Sequence, residues 1–446
     1  MAEPTNLPRP PLYTVLPPLV LGTATFNTQY VSDPHSMPYR DIIARALSLG
    51  VNAFDTSPYY GPSETLLGTA LGDLMNPSTI PNNTTPTVPL PRSSFFLVTK
   101  AGRIAPTEFD YSPPWIRYSI LRSLQRLQTP YLDLVYMHDV EFVTPAEVLA
   151  AVRELRRLRD EEGVVRYVGI SGFPVDTLCA LAEMVLAETG EPLDAVLSYG
   201  HFTVQNRALG LPWVDGDRKE VEVVEEGGVG AGTLSPLTRF KRAGVDVVLN
   251  ASILGMGLLT SRGIPADPPG SKTDSLLVHW HPSPPELRLA CKRLAELSAA
   301  AGERLESVAI RWSIAEWARI AAAAGLGVDI AAPGVAPQKV GVTVCGVTTI
   351  AELEETVAEW RGVLSSLALG DSDELYGPAR QEKVLNLVRN EFWPALRSWL
   401  DYVWDSPGSG FVNTRKECDR GVTPDDGIIA SFEKAKQGTQ PTASTR

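Results

Sequence analysis

Cysteine is scarce in this chain of 446 residues: Cys179, Cys291, Cys345 and Cys418 stand far apart. That spacing excludes a disulfide framework and any metal site built on paired cysteines, and it fits reduced thiols in a cytosolic protein. Positive charge is also in short supply. Lys and Arg number 40 against 52 Asp and Glu, for a net charge of −12. No basic footprint therefore points to nucleic acid or to an anionic membrane surface. No apolar run approaches the ~20 residues that a spanning helix requires. The opening residues, MAEPTNLPRPPLYTVLPPL, have neither a basic n-region nor a continuous apolar h-region, so a cytoplasmic location is expected. Of the few histidines only His279 and His281 are closely spaced. With no third ligand in view they read as loop residues, and no metal is expected.

What is present is an alternation of short apolar runs with longer segments of helical period. The runs are Val20–Thr23, Val51–Thr56, Phe95–Lys100, Leu132–His138, Tyr167–Ser171, Ala195–Tyr199, Val245–Asn250 and Val340–Gly346. They lack strict alternation, as parallel strands buried on both faces do. Helices are expected at Pro38–Leu49, Ser63–Leu74, Pro113–Leu127, Pro145–Glu162, Val175–Glu188, Pro284–Ala301 and Ile350–Arg361. The clearest is Pro145–Glu162, with Val148, Leu149, Val152, Leu155 and Leu158 on one face and Thr144 as its N-cap. Eight such units predict an α/β fold, a (β/α)8 TIM barrel, over residues 15–363.

Other stretches fall outside that repeat. Residues 76–93, rich in Pro, Thr and Asn, and residues 211–233 read as surface insertions. The second contains GGVGAG, but no strand leads into it and acidic residues precede it, so it lacks the strand–turn–helix context of a dinucleotide fingerprint. Residues 364–419 form a C-terminal extension with an amphipathic helix expected at Val384–Trp404, and residues 420–446 read as a disordered tail.

Barrels place reacting groups at the carboxyl ends of their strands. Those ends carry Asp55 in FDTSPYYG, with Tyr60 five positions on, Lys100 in FLVTK, His138 in LVYMHD and Ser171 in VGISGF. Taken singly, each reads more readily as a loop hydrogen bonder, a packed ring or an edge charge. Taken together, they make an acid–base device. A phenol with an ordinary pKa of ~10 exchanges protons poorly at neutral pH. A lysine beside it favours phenolate, a carboxylate keeps the lysine charged, and a histidine orients the substrate oxygen.

FDTSPYYGPSETLLGTAL, then VTK, then LVYMHD resemble the aldo-keto reductase superfamily. The resemblance implies a catalytic tetrad of Asp55, Tyr60, Lys100 and His138 and a nicotinamide cofactor at the barrel mouth. It also implies cofactor contacts from Gly22, Thr23, Ser171, Ser252 and Leu254. Departures are visible: Gly172 stands where Asn is usual, Leu197 where an amide is usual, and Ala251 where many members place a ring. At the eighth strand the stretch GVTTIAELEET puts Glu352 near an expected arginine. This implies NAD in preference to NADP, with Gly346, Thr348 and Glu352 near the adenosine ribose.

HDVEF, LSYGHFTVQN and NASILGMGLLT resemble the arabinose- and galactose-type aldose 1-dehydrogenases within that superfamily. That narrower resemblance implies a sugar substrate, oxidised at its anomeric carbon to an aldonolactone that feeds ascorbate-like synthesis, with His201 lining the pocket. Two other readings stay open: an NADPH-dependent aldehyde or pyridoxal reductase, and a non-enzymatic nucleotide-binding subunit. Oligomeric state is not legible.

Overall fold

Eight short strands buried on both faces leave one arrangement that removes every exposed edge, closure of the sheet on itself. The computed structural model, which describes residues 9–77, 88–211, 234–266, 275–330, 337–367 and 377–437, has that closure. The barrel strands in order are Leu19–Gly22, Ala53–Asp55, Phe96–Ala101, Leu132–His138, Val165–Gly172, Ala195–Tyr199, Val247–Ala251 and Val342–Gly346. All neighbours are parallel. The first strand closes on the eighth with Leu19 beside Thr343 and Gly22 beside Gly346. All eight strands fall where the sequence places them, because a run buried on both faces has little freedom to be anything else.

Helices α1 Tyr39–Ser48, α2 Ser63–Met75, α3 Pro113–Arg126, α4 Pro145–Arg157, α5 Val175–Thr189, α6 Pro236–Arg242, α7 Pro285–Ala300, α8 Leu305–Ala323 and α9 Ile350–Ser366 surround or flank the barrel. The start of α4 is a capping box: Thr144 Oγ1 accepts from Glu147 N (3.3 Å), and Thr144 N donates to Glu147 Oε2 (2.8 Å). Two barrel helices differ from expectation: α6, between the sixth and seventh strands, is absent from the sequence reading, and so is the helix against the eighth strand. The helix packed against the eighth strand is α8, which the sequence reading does not contain, whereas the expected Pro284–Ala301 is an additional helix, α7. In α8, Val308, Ile310, Trp312, Ile314, Trp317 and Ile320 are all buried. Apolar nearly all round, it has no polar face to give it a helical period.

The cover over α8 comes from the extension. Helices α10 Pro378–Leu387 and α11 Trp393–Leu396 are joined by a π-type turn at Val388–Phe392. The helical stretch thus starts earlier than the expected Val384–Trp404 and breaks at Arg397, which has φ 52°. Arg311 of α8 is fully buried and fixes this cover, donating to Gln381 Oε1 (2.6 Å), Ser366 Oγ (2.9 Å) and the carbonyls of Gly362 and Gly377.

From there the chain crosses the barrel mouth as a strap. Asp401 pairs with Arg207 (2.6 Å), Trp404 stacks on Phe173, and the Asn413 side chain exchanges two hydrogen bonds with the Phe109 backbone. Beyond Arg420 the expected disorder does not hold over the described part. Helix α12 Ile428–Gln437 packs on α3, with Glu433 paired to Arg117 and Tyr118 Oη donating to Asp426 (2.7 Å). The GGVGAG run, most of the 211–233 insertion and residues 78–87 of the first insertion lie outside the described residues. Among the described residues no helix is long and apolar enough to cross a membrane.

Candidate active site

A cavity of about 1070 Å³ opens at the carboxyl ends of the strands, and Asp55, Tyr60, Lys100 and His138 all line it. The strand ends aim three of them inward, and the turn after the second strand returns Tyr60 over them. Lys100 Nζ donates to Asp55 Oδ1 (2.5 Å) and to the Thr56 carbonyl (3.0 Å), with both side chains buried. The same ammonium lies 4.9 Å from the Tyr60 ring centroid. The His138 ring stands perpendicular to Tyr60 with centroids 5.6 Å apart, and its Nδ1 meets Ser57 Oγ at 3.0 Å.

The electrostatics differ from the sequence reading in one respect. Burial pushes the Tyr60 phenol well above its ordinary value, and Asp55 and Asp139 push it further. Arg103 opposes these causes without cancelling them. Burial also raises Asp55, against the pull of Lys100. His138 is pushed down to about 3 by burial, with Lys100 and Arg103 adding to the shift and Asp139 opposing it. At neutral pH the imidazole is therefore uncharged, able to donate from one nitrogen and accept at the other.

Along one side of the cavity lie Gly22, Ser171, Ser252, Leu254, Gly346, Thr348 and Glu352. Backbone approaches closely here. After the seventh strand, Ser252, Gly255, Met256 and Gly257 all have positive φ, a coiled turn of the kind that cradles phosphate. A Cβ on Gly346 would come within 3.1 Å of Thr25. Ser171 is registered beside His138 in the neighbouring strand, so a polar side chain on this side of the cavity adjoins the tetrad, and Thr348 follows the eighth strand. Thr23 does not belong to the lining. Its hydroxyl is buried, donating to the Asp55 carbonyl (3.0 Å) and bonded to Ser63 Oγ (2.7 Å), so it braces two strand ends. Glu352 does line the cleft but is also a helix cap, its Oε2 accepting from Thr348 N (2.7 Å) and Thr348 Oγ1 (2.9 Å).

The opposite side is aromatic: Tyr59, Phe142, Phe173, Tyr199 and Trp404 face the cavity together with Arg103 and Asp139. His201 is not among them. It is buried behind Phe173, ring centroids 4.2 Å apart, with Nδ1 against the Tyr199 carbonyl (3.1 Å). The sequence reading misses Arg103 and Asp139, which form an ion pair beside His138, the guanidinium lying 3.9 Å from the Tyr59 ring centroid. Burial opposes the Asp139 carboxylate, yet His138 and Arg103 bring it below its ordinary value. The available signal was the dipeptide His138-Asp139 at a strand end. Asp139 takes a left-handed φ of 57°, which Asp tolerates better than most residues. The sequence leaves open whether the extension's tryptophans reach the site or pack on outer helices; Trp404 lines the cavity, together with Asp405 and Ser406, which the sequence reading misses. Among the described residues no group of His, Cys, Asp and Glu is placed to hold a metal ion, and His281 is held by Ser283 Oγ (2.8 Å) and the Gly255 carbonyl (2.9 Å).

A family model described as Aldo/keto reductase family matches residues 18–376. D-arabinose 1-dehydrogenase of Saccharomyces cerevisiae is 40% identical over 303 residues, covering 67% of this chain and 76% of that protein. L-galactose dehydrogenase of Arabidopsis thaliana is 29% identical over 356 residues, covering 79% of this chain and 86% of that protein. Among solved structures, a glycerol dehydrogenase from Gluconobacter oxydans shares the fold, with a TM-score of 0.51 at 19% identity over 89% of this chain and 97% of that one.

Proposed function

The chain belongs to the aldo/keto reductase family, and from that premise we propose that it is an aldose 1-dehydrogenase, oxidising the anomeric carbon of a D-arabinose- or L-galactose-type sugar to its lactone with NAD. The observation that carries the reading is the convergence of Tyr60, Lys100, Asp55 and His138 on one wall of a cavity whose other wall is aromatic and polar. Sugars are recognised by that combination, apolar ring faces on aromatic side chains and hydroxyls on charged groups. The two named sugar dehydrogenases among its relatives support the substrate class.

In this mechanism neutral His138 hydrogen-bonds the anomeric oxygen and orients it toward the Tyr60 phenolate, which takes the proton and becomes the phenol. Lys100 and Asp55 hold each other and fix the Tyr60 ring from beneath. The nicotinamide, when bound, supplies the hydride acceptor; Ser171 would hold it at the tetrad end, with Gly22 beside the cofactor and Ser252 and Leu254 along its pyrophosphate. Purified protein incubated with NAD and a panel of aldoses should give reduced nicotinamide with pentose or galactose-type sugars. Turnover confined to an aldehyde with NADPH would replace this reading with that of a reductase.

A base with a raised pKa is available only to the extent that pH exposes it. Sugar oxidation should therefore accelerate from neutral toward alkaline pH, by up to about tenfold per unit where protonated Tyr60 predominates. No break should appear near pH 6.5, because His138 titrates at about 3. A pH profile of kcat checks both; a break near 6.5 that disappears in His138→Gln would overturn the neutral-imidazole assignment.

Cofactor choice rests on the far end of the cleft. Glu306, Glu352 and Glu355 line it with Arg262 and Arg304, and Arg304 is already ion-paired to Glu355. A 2′-phosphate there meets carboxylates and loses charge-assisted hydrogen bonds. Preference for NAD over NADP in kcat/KM should be at least about tenfold, or 1.4 kcal/mol; equal or better use of NADP would reject it.

A further inference from the structure

Gly172, the last residue of the fifth strand, stands where the family pattern leads one to expect asparagine, and the space above it is filled from another part of the chain. A Cβ at Gly172 would lie 2.6 Å from Glu141 Oε2. Glu141 follows the fourth strand, and its carboxylate comes to rest across the end of the fifth. There Oε1 accepts two hydrogen bonds, from Phe173 N (3.1 Å) and from Ser406 Oγ (2.9 Å). Oε2 is buried with no hydrogen-bond partner among the described residues. One oxygen thus ties the barrel rim to the strap. A second tie lies beside it: the Phe173 ring stacks on Trp404, centroids 4.9 Å apart and planes 14° from parallel.

These contacts fall where the strap becomes part of the site. Trp404, Asp405 and Ser406 line the cavity, and so do Ser171 and Phe173 on the rim. The strap lies outside the segment that the family model matches, which ends at residue 376. The wall it supplies is therefore additional to the matched barrel, and something must register it against the tetrad. Elsewhere its anchors, Asp401 on Arg207 and Asn413 on Phe109, are outside the cavity lining. At the pocket itself the strap is held by the Glu141 and Phe173 contacts, by Phe411 against the lining residue Phe142 (centroids 4.8 Å apart) and by Trp404 against His281 (5.5 Å); of these, only the Glu141 contact is a hydrogen bond.

We propose that Glu141 is a positioning residue that latches the strap onto the barrel rim, with Gly172 as the space the latch requires, so that the sugar-facing wall of Trp404–Ser406 is formed before substrate arrives. The sugar class rests on the reading of the function above; the latch does not. Its effect falls on substrate binding, since neither Glu141 nor Ser406 belongs to the tetrad.

Four variants test this in the full-length protein: Glu141→Ala, Glu141→Gln, Ser406→Ala and Gly172→Asn. Glu141→Ala removes the acceptor, Ser406→Ala removes the donor, and Gly172→Asn displaces the carboxylate. Each should raise KM for the aldose roughly tenfold, the scale of a lost buried hydrogen bond, with kcat within about threefold of the parent. Glu141→Gln keeps an oxygen acceptor and should restore KM to within about threefold. Limited proteolysis gives a readout independent of turnover. Cleavage within residues 397–427 should quicken by about fivefold or more in the three disruptive variants but not in Glu141→Gln, as local opening becomes easier. Unchanged proteolysis in Glu141→Ala and Ser406→Ala overturns the latch. If proteolysis responds as expected but no aldose is oxidised by the parent, the latch stands and the sugar reading fails.

Discussion

Tyr60→Phe should lower kcat for sugar oxidation by roughly a thousandfold, within the range that a positioned acid–base group contributes. The substitution removes one oxygen and little else. Phenylalanine keeps the ring that lies against Lys100 at 4.9 Å and perpendicular to His138 at 5.6 Å, so the packing of the cavity floor survives. Dinucleotide affinity, read by quenching of tryptophan fluorescence, should stay within about twofold of the parent, since only a transition-state interaction is removed. A variant that retains a tenth of the parent rate would show that another group takes the proton.

Lys100→Met should have the second largest effect, on stability and turnover together. Lys100 and Asp55 form a buried ion pair, 2.5 Å between Nζ and Oδ1. Deleting one partner of such a pair typically costs about 3–5 kcal/mol, because the other charge is left in an apolar setting. Burial already raises Asp55 while Lys100 opposes it, so the variant leaves the raising cause alone. A carboxyl whose pKa is higher folded than unfolded holds its proton more tightly in the native state. The stability deficit should therefore be large above neutral pH and shrink as pH falls toward the ordinary carboxylate range. Urea unfolding at pH 7.5 and pH 5 measures this; a deficit equal at both values would show that Asp55 is not the strained partner. Asp55→Asn combined with Lys100→Met should recover much of the stability while turnover stays low.

The barrel and its tetrad were legible in the sequence for a common reason. Strands such as Leu132–His138 are buried along their whole length, and the residue that ends such a run must face the mouth, so His138, Lys100 and Asp55 could be placed without coordinates. Seven of the eight anticipated cofactor positions lie on the cleft. Thr23 does not, because a hydroxyl at a strand end can turn inward to bond a neighbouring carbonyl as readily as outward, and period alone does not say which. His201 fails for a similar reason, being one shell behind the aromatic residue that reaches the cavity. Two larger features had no local signal. Helix α8 has no polar face because an extension more than 50 residues later covers it, and the strap reaches the site only through long-range contacts. Glu141 and Gly172 illustrate the same limit: the missing side chain was visible as a departure, but the group that fills its place comes from a different strand end.

Arg311 carries one more implication. Its guanidinium is sunk in the middle of α8, and its hydrogen-bond acceptors include Gln381 and the Gly377 carbonyl from the segment that follows the family-matched part of the chain. A guanidinium cannot shed its charge to tolerate an apolar environment. Its other partners, Ser366 Oγ, the Gly362 carbonyl and the Glu359 carboxylate 3.5 Å away, belong to α9, so one buried cation joins the last barrel helix to the extension. Removing residues 377–396 should uncover α8 and take two partners from this guanidinium, leaving it the ion pair to Glu359.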